Sequence, residues 1–314
     1  MKIYVACPLP ESDRLTLGAA TPADEVWYAD PARPSAADRE AFLAAEVVFG
    51  AFPEDLLAAA PQLRWIQFSS AGVDNFLHLN WTAVAGRVTC TNMRGVFVEA
   101  MVQTVLGGLL ALVRGIDQFA RLQPQRNWQK PRLQSGLRRL DGLHVLLLGA
   151  GSANRRLQEL LLPFHCTFTA YGRTSGDIHT LAELDAALPR ADIVCAALPD
   201  TPDTRGLIDA ARLQHFKPGA LFANIGRGSL VDEPALVDAL PSGRLGGAVL
   251  DVTRHEPLPA DDPLWNCPRT ILTQHTGGGS DQVFRDAVAF FVANLARYHA
   301  GQPLQNVIDW AKGY

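Results

Sequence analysis

The sequence has little that would draw it to a polyanion. Lysine and arginine number 28 against 32 aspartates and glutamates, a formal net charge of -4. Both signs are scattered, and a phosphate backbone demands a dense basic stripe, so no nucleic acid partner is expected. Cysteine is sparse: Cys7, Cys90, Cys166, Cys195 and Cys267 lie far apart, with no Cys-x-x-Cys pair. They read as buried free thiols of a reducing compartment, and no metal site is expected. No apolar run reaches the roughly 18 residues a bilayer span requires, so no membrane association is expected. The opening MKIYVACPLP breaks at proline before a signal-peptide core can form, which makes the cytoplasm the expected location. Short repeats and low-complexity segments are also lacking.

What is there is the material of a globular protein. The 314 residues are 48% hydrophobic and 19% charged, enough chain for two cores of ordinary size. In the first third, KIYVAC, EVVFGAF, RWIQF and RVTCT read as strands separated by helix-like stretches, the cadence of a parallel sheet. From Val96 to about Ala120 the chain is apolar nearly all round, which predicts one long buried helix. A second set of strands follows in HVLLLG, TFTAYG, DIVCAAL, ALFANI, GAVLDV and TILTQH. A final helix is predicted from Ser280 to about Ala300.

The run Gly149, Ala150, Gly151, Ser152, Ala153, Asn154 sits between an apolar strand and a helix, the setting of a dinucleotide fingerprint. The first glycine permits a tight turn and the second lets backbone approach a pyrophosphate. The new helix offers that pyrophosphate free N–H groups and its positive dipole end. The third expected glycine is Asn154, whose side chain is expected to loosen helix-to-strand packing or crowd the phosphates. About 20 residues on, a carboxylate would read a ribose 2′-hydroxyl. Here strand TFTAYG ends at Gly172, followed by Arg173 and Thr174, a cation and a hydroxyl suited to a 2′-phosphate. The preferred cofactor is therefore NADP, with NAD also admitted; otherwise Arg173 stacks on adenine or stays in solvent.

Three segments, ALFANIGRGSLVDEPAL, GGAVLDVTRHEPLPADDPLW and ILTQHTGG, together with FSSAGVDNFL and LPDTPDTRGLI, carry a resemblance. From about Gln67 to Gly278 the chain resembles the D-isomer-specific 2-hydroxyacid dehydrogenase family. The resemblance implies an α/β protein of two doubly wound parallel-sheet domains. One is a Rossmann dinucleotide-binding domain over residues 98–279, the other a flavodoxin-like substrate domain over residues 1–97 plus 280–314. It also implies hydride transfer from NAD(P)H to a small 2-keto acid of the glyoxylate or hydroxypyruvate type, giving the D-2-hydroxy acid, in a homodimer.

Residue roles follow from the same resemblance. Arg227 would bind the substrate carboxylate and polarise its carbonyl, His275 would be the acid in reduction, and Glu256 would orient the His275 ring. Ala71 and Gly72 would offer backbone N–H groups to the carboxylate, and Trp128 would reach a partner subunit's active site. Asp251 would hydrogen-bond the nicotinamide carboxamide, with Ile225 and His275 beside the ring and Leu198, Pro199 and Thr204 lining the adenosine side. Each residue also has a plainer reading: a loop arginine in an ion pair, a solvated glutamate, a structural histidine, a packed tryptophan. A non-catalytic, nucleotide-sensing module of the same architecture is the alternative function. Formate dehydrogenases place glutamine where Glu256 stands, and phosphoglycerate dehydrogenases usually keep an acid at the Gly172 position, so both fit less well.

Overall fold

A computed structural model describes residues 1–310, and the chain divides into two compact units. The first comprises Met1–Phe97 and the segment from Ser280 onward, the second Val98–Gly279.

The first unit is built on five parallel strands: β1 (Lys2–Ala6), β2 (Glu25–Tyr28), β3 (Val47–Gly50), β4 (Trp65–Gln67) and β5 (Thr89–Thr91). Their order is β2-β1-β3-β4-β5, the flavodoxin-like arrangement with its switch point between β1 and β3. The central strands are short apolar runs because both of their faces are covered. Edge strand β2 escapes the sequence reading, since EVWY is four residues long and alternates in exposure. Helix α1 (Glu11–Ala20) and helix α2 (Ala36–Ala44) follow β1 and β2, and α2 starts at a reciprocal capping box between Ser35 and Asp38. The C-terminal helix Val283–His299 returns to this unit, stacking Phe291 on Phe49 at 4.5 Å and on Trp65 at 5.2 Å. Full burial of one such ring contributes about 1.5–3 kcal/mol. Asn294, on the same helix, donates to buried Gln67 at 3.2 Å.

The second unit opens with helix α3 (Val98–Val113) and helix α4 (Ile116–Leu122). The predicted single helix is thus broken, with a bend of 71° at the Arg114–Gly115 junction. Gly115 takes a left-handed φ of 66°, which ends α3 and redirects the chain. Short helix α5 (Lys130–Gln134) precedes six parallel strands: β6 (His144–Leu148), β7 (Thr167–Tyr171), β8 (Ile193–Ala196), β9 (Ala220–Asn224), β10 (Leu245–Leu250) and β11 (Thr270–Leu272). The order is β11-β10-β9-β8-β6-β7, a Rossmann sheet whose strand order reverses between β6 and β8. A further neighbour of β7 survives only as a parallel bridge between Tyr171 and Ile178.

Helices α6 (Ser152–Leu161), α7 (Leu181–Ala187), α8 (Ala210–His215) and α9 (Glu233–Ala239) complete the βα units. Two apolar cores fill the two faces of this sheet, one around Leu146, Val194 and Phe222, the other around Val105, Leu147 and Val249. All five cysteines are buried free thiols, and burial pushes those of Cys7, Cys90 and Cys195 up to about 12. No single helix among the described residues is long and apolar enough to cross a membrane.

Candidate active site

In the Rossmann unit, the carboxyl ends of the strands gather the loops after β6, β8, β9, β10 and β11. The loop after β9 carries Arg227, half-buried, with its guanidinium donating to the Gly226 carbonyl at 2.8 Å. Its backbone is set by Asn224, fully buried at the strand end, which donates to Arg227 O at 2.9 Å and accepts from Gly226 N at 3.0 Å. Beneath this loop lies Asp200, bonded by Arg205 at 2.7 and 3.1 Å and by the Ser229 hydroxyl at 2.9 Å. The Arg205 guanidinium, with Ser229, holds the Asp200 carboxyl below the usual carboxylate range. Neither Asn224 nor Asp200 stood out in the sequence. A polar residue closing an apolar strand just before Gly-Arg-Gly is the signal that would have found Asn224.

The Arg227 loop is packed against the loop after β10. At Gly228 a side-chain Cβ would stand 2.0–2.4 Å from backbone atoms of Thr253 and Arg254, so only glycine lets the two segments meet. Thr253 N–H in turn donates to Glu256 Oε1 at 3.0 Å, and Glu256 Oε2 accepts from His275 Nδ1 at 2.6 Å. Both carboxylate oxygens are thereby engaged. With Nδ1 committed to Glu256, Nε2 is the ring nitrogen left for a reacting oxygen.

His275 is held from the backbone as well. Gln274 and His275 take left-handed φ values of 53° and 56° in succession, a sparsely populated conformation kept only where surroundings over-determine it. The surroundings are Asp251, whose carbonyl accepts from His275 N at 2.5 Å. Its buried carboxylate takes the Thr273 hydroxyl at 2.6 Å and Gly277 N at 2.9 Å. Asp251, expected at the nicotinamide, thus also builds the loop that presents the histidine. Ile225 is buried in the core beneath its loop.

At the switch point, Gly149 has a φ of 103° and a Cβ there would lie 3.0 Å from Ala197 O, so the chain itself requires this glycine. Among the described residues nothing beyond its chain neighbours comes within 4 Å of a Cβ at Gly151, so the space beside this glycine is open. Ser152 and Ala153 form the first turn of α6, whose N–H groups suit a pyrophosphate. Leu198 and Pro199 lie in the adjoining loop after β8, where the Thr204 hydroxyl donates to Pro199 O at 2.6 Å and stabilises the loop itself. After β7, Arg173 and Thr174 are exposed, and Arg173 is 3.2 Å from exposed Asp203. A Cβ at Gly172 would stand 2.1 Å from Ser175 O, so a side chain could enter there only if the turn moved. These residues fit a nicotinamide dinucleotide.

Ala71 and Gly72 belong to the first unit, on the loop after β4. Carbonyls of Ser70, Ala71 and Gly72 are taken by Met93 N at 2.9 Å, Asn92 Nδ2 at 2.9 Å and Ser70 Oγ at 2.6 Å. Trp128 is 87% exposed, which rules out packing within its own unit as its role.

A Rossmann sheet with a dinucleotide turn at its switch point and a carboxylate–imidazole pair on its loops is the layout of a dinucleotide-dependent oxidoreductase. Comparison with known proteins makes the class specific. Residues 106–277 match the D-isomer specific 2-hydroxyacid dehydrogenase NAD binding domain. The chain is 32% identical over 288 residues to glyoxylate/hydroxypyruvate reductase B of Pectobacterium carotovorum subsp. carotovorum, covering 87% of this chain and 88% of that protein. It is 30% identical over 279 residues to glyoxylate/hydroxypyruvate reductase A of Serratia proteamaculans, covering 83% and 85%. Among solved structures, an NADPH-dependent glyoxylate/hydroxypyruvate reductase from Sinorhizobium meliloti, in complex with NADP and sulfate, superposes with a TM-score of 0.84 at 26% identity. That match covers 100% of this chain and 99% of the other. The chain belongs to the D-isomer specific 2-hydroxyacid dehydrogenase family.

Proposed function

We propose that the protein is an NADPH-preferring reductase of small 2-keto acids of the glyoxylate and hydroxypyruvate class, yielding D-2-hydroxy acids. The observation that carries the reading is the His275–Glu256 pair at 2.6 Å, joined through Thr253 and Gly228 to the loop of Arg227. Relatives named as glyoxylate/hydroxypyruvate reductases support the substrate class, and the NADP complex of the Sinorhizobium meliloti enzyme supports the cofactor.

The residues divide the work of carbonyl reduction. Gly149, Gly151, Ser152 and Ala153 hold the pyrophosphate, Arg173 and Thr174 the 2′-phosphate. When bound, the dinucleotide would supply the hydride. Arg227 pairs with the substrate carboxylate and draws electron density toward the carbonyl oxygen. As the carbonyl carbon gains a hydride, its oxygen gains the proton carried on His275 Nε2, and the carboxylate of Glu256 stabilises the ring while it carries that proton. The protein acts in the cytoplasm as a homodimer.

Purified protein is expected to oxidise NADPH with glyoxylate or hydroxypyruvate, faster than it oxidises NADH. His275→Ala is expected to lower kcat on the order of 10²–10⁴-fold, the range of general acid catalysis. Dinucleotide binding with no turnover of any keto acid would refute the reading in favour of a binding module.

A further inference from the structure

Asn154 stands where the dinucleotide fingerprint has its third glycine, and the structure shows it neither loosening the helix nor crowding the turn. Its side chain lies inward, 1% exposed, and Nδ2 donates to two backbone carbonyls, Leu148 O at 2.9 Å and Gly149 O at 2.7 Å. Leu148 closes β6 and Gly149 begins the turn. Oδ1 is also buried and has no partner among the described residues. An orphaned buried acceptor is costly, so the two bonds made by Nδ2 offset a real penalty.

The bond to Gly149 O matters most. In a trans peptide the C=O and N–H lie in one plane and point in opposite directions. Pinning Gly149 O inward therefore turns the Ala150 N–H the other way, outward from the helix interior. Glycine at 149, with its φ of 103°, offers little resistance of its own to rotation of that plane. A rotated plane would present a carbonyl oxygen, and its negative charge, to the phosphates.

We propose that Asn154 is a positioning residue for the cofactor, locking the Gly149–Ala150 peptide so that the turn presents N–H rather than C=O to the pyrophosphate. The inference rests on the dinucleotide reading of the turn. Since pyrophosphate is common to both cofactors, loss of the lock weakens NADPH and NADH by the same factor, unlike any change at the 2′-phosphate.

The test compares the parent with Asn154→Gly, the residue of the usual fingerprint, and Asn154→Leu, similar in volume but without donors. Dissociation constants for NADPH and NADH are measured by titration of nucleotide fluorescence, alongside Tm. Losing the bond to Gly149 O, at the net worth of one ordinary hydrogen bond, corresponds to weakening on the order of 5- to 10-fold, equal for the two nucleotides. Should Asn154→Leu fail to fold, Asn154→Gly alone decides. Folded variants that bind both nucleotides within two-fold of the parent, whatever their Tm, overturn the proposal, as does weakening confined to NADPH. A parent that binds neither nucleotide overturns the dinucleotide reading instead.

Discussion

Glu256 shows how much of the proposed chemistry rests on one side chain. One of its oxygens accepts from Thr253 N–H and the other from His275, so the loop after β10 and the histidine share a single carboxylate. Glu256→Gln retains the shape but has one acceptor oxygen where two donors converge, and its amide N–H₂ must face either Thr253 N–H or the ring. The expected result is a fall in kcat on the order of 10²-fold, with a smaller change in keto-acid KM, because the loss is felt at the transition state. Steady-state kinetics across pH checks it. A variant with parental kcat would remove Glu256 from the proton-transfer apparatus. The charged residues of the candidate site were legible through the family resemblance, which sets arginine, glutamate and histidine in a recognisable order, each alone having a plainer reading. Their supports were not legible. Asn224, Asp200 and Thr273 are short polar residues whose roles exist only once distant strands bring their partners near.

Elements were read well where periodicity was strong and poorly where a single residue decided. The parallel strands β1, β3 and β4 and β6 to β11 announced themselves as apolar runs, whereas β2 is too short and too exposed to do so. The break between α3 and α4 turns on Gly115, which is unremarkable in a sequence that is otherwise a continuous apolar helix. The turn after β7 is a more consequential case. The absence of a carboxylate at Gly172 led to the expectation of NADP, and in the structure Ser175 O occupies the space a side chain there would need. Replacing Arg173 with alanine is accordingly expected to raise the KM for NADPH about 10-fold, the worth of one charge-assisted contact at a partly exposed site, while leaving that for NADH little changed. Gly172→Asp is expected to reduce stability without creating NADH preference, since the turn must open to admit it. Parallel titrations with the two cofactors and a thermal melt check both. An Arg173→Ala enzyme with undiminished NADPH preference would place the 2′-phosphate elsewhere.

At the scale of the whole molecule, the features that bear on assembly lie in the Rossmann unit. Ile116 and Phe119, one turn apart on α4, are 54% and 41% exposed, and Trp128 in the following segment is nearly bare. Large apolar side chains scattered singly are ordinary on a protein surface, but two on one helical face mark a surface suited to association. Asp117, between the first two, has both carboxylate oxygens buried without a hydrogen bond among the described residues, with Arg269 3.6 Å away, and burial pushes its carboxyl up. If the family's expected homodimer forms through this surface, light scattering gives a mass of about twice the 34.0 kDa chain. Phe119→Asp then places a charge where apolar contact is needed, and a buried unpaired charge costs several kcal/mol. The expected outcome is a shift to monomer at micromolar concentration, accompanied by lower activity if Trp128 serves the partner's site. A parent that scatters as a monomer at assay concentration, or a Phe119→Asp variant that remains dimeric, would remove this surface from the assembly.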